Sequence, residues 1–294
     1  MYLIFAAAAL ASVALNVYVQ KNTKRQTLID ISMILFQPQF PVNSYRRPNY
    51  IFSTGSQHVK DSFYYLKVKD TEESIACHYI SNDQSNKVLI FSHGNAEDIG
   101  QNVSWLKVLA REANINIFLY EYEGYSHSTG TPSEAALERD ITTAYNHLRD
   151  DLKVKSEDIY LFGRSLGGGP TVYLGRTLSE KKEVLGGIIL MCTFTSPIQT
   201  QIGKGLYSFV PSLLVRDMFD NFNGLKQVDQ KVPLLMFHGR NDEIVPYHHG
   251  EEMYEMLKGL GRLVKFVPLE SGHNDIISRQ HETVFEEIKD FVNK

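Results

Sequence analysis

The spacing of apolar positions changes character several times along this chain. Met1 to Gln20 carry no charged side chain and form one continuous run of Ala, Leu, Val, Ile and Phe with few interruptions. As a helix rising ~1.5 Å per residue, Tyr2 to Val19 would reach about 27 Å, close to the ~30 Å of a bilayer's hydrocarbon core. The run therefore predicts a transmembrane or signal-anchor helix over residues 1–20. A cleaved signal peptide is the alternative, since Ala9-Leu10-Ala11 resembles a small-residue cleavage site, although no basic region precedes it. Residues 21–60 read as a connecting segment in which Ile31 to Phe36 is mostly apolar and Pro38, Pro41 and Pro48 forbid a long helix. Such a segment either packs on the domain that follows or skims the bilayer.

From residue 61 to 294 short β-rich runs alternate with amphipathic stretches. Phe63 to Val68 and Ser74 to Ile80 suggest a hairpin. Val88 to Ser92, Ile115 to Tyr120, Ile159 to Gly163, Gly187 to Cys192, Leu234 to His238 and Val264 to Leu269 are compact and apolar, as strands buried on both faces of a parallel sheet are. Helical periodicity fills the gaps near Gly100 to Glu112, Ser133 to Leu152, Gly167 to Leu178, His248 to Leu260 and Ile276 to Asn293. The pattern predicts one α/β domain: a mostly parallel, twisted sheet of about eight strands with helices on both faces.

Charge and composition narrow the function. A net charge of -4 leaves no basic field for nucleic acid. Lys21, Lys24 and Arg25 directly follow the apolar run, which by the positive-inside rule puts the body of the protein on the cytoplasmic side. Cys77 and Cys192 both fall in strand-like runs and read as reduced core residues. The sequon Asn102-Val103-Ser104 would be glycosylated only in the opposite topology and so reports on it. No Walker loop, His-Glu-x-x-His or paired-cysteine motif is present, so the sequence calls for no cofactor and no metal. His248-His249 reads as a solvated helix start.

The chemistry gathers in four places. Gly163-Arg164-Ser165-Leu166-Gly167 is a Gly-x-Ser-x-Gly motif between a predicted strand and a predicted helix, a turn that lifts a serine hydroxyl above a sheet. A serine hydroxyl is a weak nucleophile and needs a base, an orienting acid and an oxyanion site. Asp242 follows a strand and is the candidate acid, with Glu243 as its rival. Among the histidines after it, His248 and His249 come too soon and His281 lies in helical pattern, whereas His273 occupies a loop after a strand. The order serine, acid, histidine is the one this kind of sheet uses. In Ser92-His93-Gly94-Asn95-Ala96 a backbone N–H can face the same cavity as the N–H of Leu166. His93 and His238 read as structural.

The stretches His93-Gly94-Asn95-Ala96, Tyr122-Glu123-Gly124-Tyr125-Ser126, Gly163 to Gly168 and Gly272-His273-Asn274-Asp275 resemble those of the α/β-hydrolase superfamily, most closely its small-lid, membrane-associated branch of protein depalmitoylases and serine-aminopeptidase-like hydrolases. The resemblance implies Ser165, Asp242 and His273 as a catalytic triad, Asn95 and Leu166 as oxyanion donors, and a fatty-acyl ester or thioester on a protein or lipid as substrate. One departure is that those depalmitoylases carry an N-terminal cysteine cluster where this chain has its apolar run. Substrate choice in such folds lies in the insert between Cys192 and Pro233, here about forty residues. Its Leu206, Tyr207, Phe209, Val210, Leu213, Leu214, Val215, Met218 and Phe219 would line an acyl groove, dip into lipid, or pack against the sheet. The competing functions are a serine peptidase of the aminopeptidase-like type and a non-catalytic, membrane-tethered binding protein.

Overall fold

The computed structural model describes residues 36–38, 59–197, 200 and 218–294. The expected N-terminal helix and most of the connecting segment lie outside the described residues. Among the described residues no helix is long and apolar enough to cross a membrane.

Eight strands form one sheet in the order β1-β2-β4-β3-β5-β6-β7-β8. They are β1 (Val59–Lys67), β2 (Ser74–Asn82), β3 (Val88–Ser92), β4 (Asn116–Tyr120), β5 (Ile159–Arg164), β6 (Gly187–Met191), β7 (Leu234–Gly239) and β8 (Val264–Leu269). The β1–β2 and β2–β4 pairings are antiparallel, and every pairing from β4 to β8 is parallel. Because strand side chains alternate, each central strand feeds two apolar layers. Val88 and Ile90 of β3 belong to one, and Leu89 and Phe91 to the other. Both layers need covering, which is why helices occupy both faces.

Helices α1 (Ile99–Glu112) and α6 (Ile276–Val292) cover one layer; α2 (Glu134–Asn146), α3 (Gly168–Glu180) and α5 (His248–Gly259) cover the other. Local signals start them: the Asp98 side chain accepts from Gln101 N–H at the head of α1, and Ser133 Oγ accepts from Ala136 N–H at the head of α2. A seven-residue helix, α4 (Asn221–Gln227), begins at Asp220, whose side chain accepts from Asn223 N–H. Seven residues are too few to display a helical period in the sequence.

Other departures also have physical reasons. β1 begins at Val59 rather than Phe63, since an edge strand needs backbone pairing to Asn82 and Ser81 but no apolar alternation. β8 is the opposite edge and is half-exposed, not buried on both faces. The helix expected over 133–152 ends as α at Asn146 and widens into a π turn at His147–Asp151, where His147 Nε2 meets Tyr64 Oη at 3.0 Å and its Nδ1 meets Asp151 at 2.7 Å. Cys77 and Cys192 are buried free thiols. Asn102 is buried in α1, donating to Asp98 O and accepting from Trp105 Nε1. A glycan there would have to displace these contacts in the folded chain.

At Phe36 the connecting segment packs on the domain, its ring buried in the layer that holds Tyr122 and Tyr125. Of the nine apolar residues named above in the insert, Met218 and Phe219 are buried in that same layer, and the other seven lie outside the described residues.

Phe162, fully buried on β5, meets Phe91 edge-on at 5.2 Å between ring centroids. Phe162→Ala is expected to lower stability by about 3 to 5 kcal/mol, the usual cost of an aromatic cavity, read as a lower urea midpoint at unchanged slope.

Candidate active site

β5 runs into a 3₁₀ turn at Ser165–Gly167 and then into α3. Ser165 sits in the left-handed region with φ 51°, a conformation costing roughly 1 kcal/mol for a residue with a Cβ. The turn survives because its flanks are glycines. A Cβ on Gly163 would fall 2.5 Å from Gly167 O, and one on Gly167 would fall 2.0 Å from Ser92 O. The second contact also shows that the turn rests directly on the end of β3. Thr193 Oγ1 donates to Ser165 O at 2.9 Å and fixes the strained peptide.

Two other strand ends meet this turn. Asp242 follows β7 and His273 follows β8, and both are buried. His273 Nδ1 lies 2.7 Å from Asp242 Oδ2, and His273 Nε2 lies 3.0 Å from Ser165 Oγ. With Nδ1–H donating to the carboxylate, Nε2 presents its lone pair to the serine hydroxyl. The other oxygen, Asp242 Oδ1, accepts the N–H groups of Ile244 at 2.9 Å and Val245 at 2.7 Å. Burial opposes the charge on Asp242, but His273, the Val245 N–H and His238 outweigh it and hold the carboxyl below its usual range. Glu243 does not share this position; its carboxylate lies beside Gly272.

The loop after β3 is braced from below. Buried His93 faces Glu121 Oε1 at 2.7 Å through Nε2 and Gly94 O at 2.8 Å through Nδ1, while Tyr122 stacks on its ring at 4.1 Å and donates to His93 O at 2.6 Å. Next to it, Asn95 Oδ1 accepts from Tyr125 Oη at 2.7 Å and Ala96 N–H at 3.0 Å. Leu166 is buried in the 3₁₀ turn against this loop.

A residue that sequence reasoning passed over ties these loops together. Arg164, the variable position before Ser165, forms an ion pair with Glu97 beyond the β3 loop and donates to His273 O and Asn274 Oδ1, each at 3.1 Å. Its guanidinium therefore joins the serine turn, the histidine loop and the β3 loop. The only local hint was a charged residue inside an otherwise apolar strand-to-helix turn.

Chain comparisons bear on the same region. Residues 133–294 match the sequence profile of the Prolyl oligopeptidase family, and residues 71–181 that of the Chlamydia CHLPS protein (DUF818). The α/β hydrolase domain-containing protein 17C of Mus musculus is 32% identical over 250 residues, 84% of this chain and 72% of the mouse protein. The chain belongs to the α/β-hydrolase superfamily. The α/β hydrolase domain-containing protein aho-3 of Caenorhabditis elegans is 35% identical over 71% of this hydrolase. The match spans only 58% of the worm protein and 62% of the Xenopus laevis protein 17C. An α/β-hydrolase crystal structure from Vibrio vulnificus shares the fold with a TM-score of 0.65 at 19% identity, over 83% of this chain and 89% of its own.

One histidine of this α/β-hydrolase comes out differently from expectation. His249 is buried, with Nδ1 2.9 Å from Thr195 Oγ1, and is not part of a solvated helix start. Cys192, His238 and Asp242 place ligand-type atoms within 4.8 Å of one another. They do not suit a metal. The Asp242 oxygens already accept His273 and two backbone N–H groups, His238 Nε2 lies 2.8 Å from Val245 O, which only an N–H satisfies, and burial holds the Cys192 thiol protonated.

Burial pushes His238 below its ordinary 6.5, against the Val245 carbonyl and Asp242, which favour the charged ring. The unfolded chain then takes up this proton first, so the stabilisation is complete above about pH 6.5 and is lost as pH falls from there through the folded value. Urea melts at pH 7.5 and 5 are expected to show a smaller acid loss in His238→Gln than in wild type. Arg164→Ala removes the guanidinium that neutralises the largely buried Glu97, leaving it the Gly94 N–H, and is expected to lower stability by roughly 3 kcal/mol, with Arg164→Lys intermediate.

Proposed function

We propose that this α/β-hydrolase is a serine hydrolase that cleaves a fatty-acyl ester or thioester at a membrane through an acyl-enzyme. The observation that carries this reading is the unbroken hydrogen-bonded line from Ser165 Oγ through His273 to Asp242. In the proposed reaction Ser165 Oγ attacks the acyl carbonyl as His273 Nε2 takes its proton. Asp242 stays ionised and balances the imidazolium. The negative oxygen of the tetrahedral intermediate is held by the N–H groups of Asn95 and Leu166. His273 then returns the proton to the departing alcohol or thiol, and water, activated by the same imidazole, releases the fatty acid.

The acyl part is supported by the resemblance of the Ser165, His273 and Asn95 motifs to those of protein depalmitoylases, by the apolar insert, and by the uncharged N-terminal run with its trailing Lys21, Lys24 and Arg25. In this reading that run tethers the hydrolase domain of residues 61–294 on the cytoplasmic face and presents it to an acylated protein or lipid. The Prolyl oligopeptidase match favours a second reading, hydrolysis of a peptide amide by the same three groups.

The test is a fluorophosphonate probe followed by a substrate panel, on the full chain in detergent. Wild type is expected to label, Ser165→Ala to remain unlabelled, and His273→Ala to lose on the order of a million-fold in turnover. Faster cleavage of long-chain acyl thioesters or esters than of peptide amides supports the first reading; the reverse order overturns it. Labelling that persists in Ser165→Ala overturns the choice of nucleophile. Topology is read separately, by a glycan acceptor fused after Lys294, expected to stay unmodified when the protein is made on membranes.

A further inference from the structure

We infer that Phe36 and Gln37, in the segment between the apolar run and the hydrolase domain, form a strap that positions the oxyanion loop, so that this part of the connecting segment belongs to the active-site scaffold. The inference rests on the acyl-transfer reading above and adds a positioning element to it.

Phe36 is buried in the same apolar layer as Tyr122 and Tyr125, the two rings that pack against His93 at the root of the β3 loop. The next peptide is aimed at the loop itself. Gln37 N–H lies 2.9 Å from Asn95 Oδ1 and 3.1 Å from Tyr125 Oη, a donor shared between two acceptors. Tyr125 Oη in turn donates to Asn95 Oδ1 at 2.7 Å, and Ala96 N–H reaches the same oxygen at 3.0 Å. Three donors from three separate stretches of chain therefore converge on one amide oxygen. Ala96 is held in the left-handed region with φ 54°, which the loop would relax if that oxygen were released.

The position of Asn95 gives the strap its effect. Ser92 O and His93 O, just before it, press against Gly167 beside the nucleophile turn. A displacement of the Asn95 peptide thus alters its distance to an oxyanion formed at Ser165, and misplacement near 1 Å costs as much as ~100-fold in rate. An amide oxygen with fewer donors holds the peptide more loosely without removing any reacting group. The loss should appear in kcat, because the oxyanion exists only in the transition state and the intermediate, while ground-state binding of the acyl chain is untouched.

The experiment uses full-length protein in detergent and compares Gln37→Pro, which removes the N–H, with Gln37→Ala, which keeps it. Tyr125→Phe removes the bridging hydroxyl from the opposite side and guards against a backbone artefact of the proline. Gln37→Pro is expected to have a kcat on the order of tenfold below that of Gln37→Ala with KM within about twofold, and Tyr125→Phe to fall in the same direction. The rate of fluorophosphonate labelling should fall in parallel. Equal kcat in Gln37→Pro and Gln37→Ala, or a change confined to KM, overturns the strap while leaving the hydrolase reading intact. A wild-type chain that neither labels nor turns over any acyl substrate overturns both.

Discussion

Asp242 keeps its charge although its side chain is wholly enclosed. A carboxylate in that setting is tolerated only if its lone pairs are filled, and the surrounding chain is arranged to fill them. Ile244 and Val245 curl back to offer N–H groups to one oxygen, and His273 offers its Nδ1–H to the other. The imidazole consequently has one orientation, with its second nitrogen directed at Ser165. Position and orientation of the central ring thus follow from the need to satisfy one buried acid.

A second constraint acts through packing. The serine turn can lie against β3 only because Gly163 and Gly167 lack side chains, and its strained serine is held there by Thr193. Arg164 then joins that turn to the loops of Glu97 and His273. The strand ends that carry the site belong to β3, β5, β7 and β8, which lie far apart along the chain. Their common rim is a product of the parallel register, in which all these strands point the same way. Rigid strands set the coarse positions, and side-chain bonds between loops set the fine ones.

Buried polar pairs under the β3 loop extend the same logic away from the serine. His93 with Glu121, capped by Tyr122 and Tyr125, forms a platform on which Asn95 stands. Phe36 and Gln37 close that platform from outside the sheet. The segment that the sequence presents as a mere connector thereby reaches the interior of the hydrolase domain.

The sequence by itself determined what local periodicity can encode: the alternation of strands and helices, the two-faced burial of the central strands, and the order of serine, acid and histidine after β5, β7 and β8. Each period and each motif depends on residues within a few positions of one another, so each leaves a readable pattern, and the order follows from reading the motifs along the chain. Only the tertiary structure decided that Asp242, not Glu243, meets the imidazole, that Arg164 bridges three loops, that His249 is buried, and that Asn102 is inaccessible. The contacts of Asp242, Arg164 and His249 join positions 31 to 110 apart in the chain. No local pattern carries that information, because the strand order that creates the contacts is itself a consequence of packing two apolar layers at once.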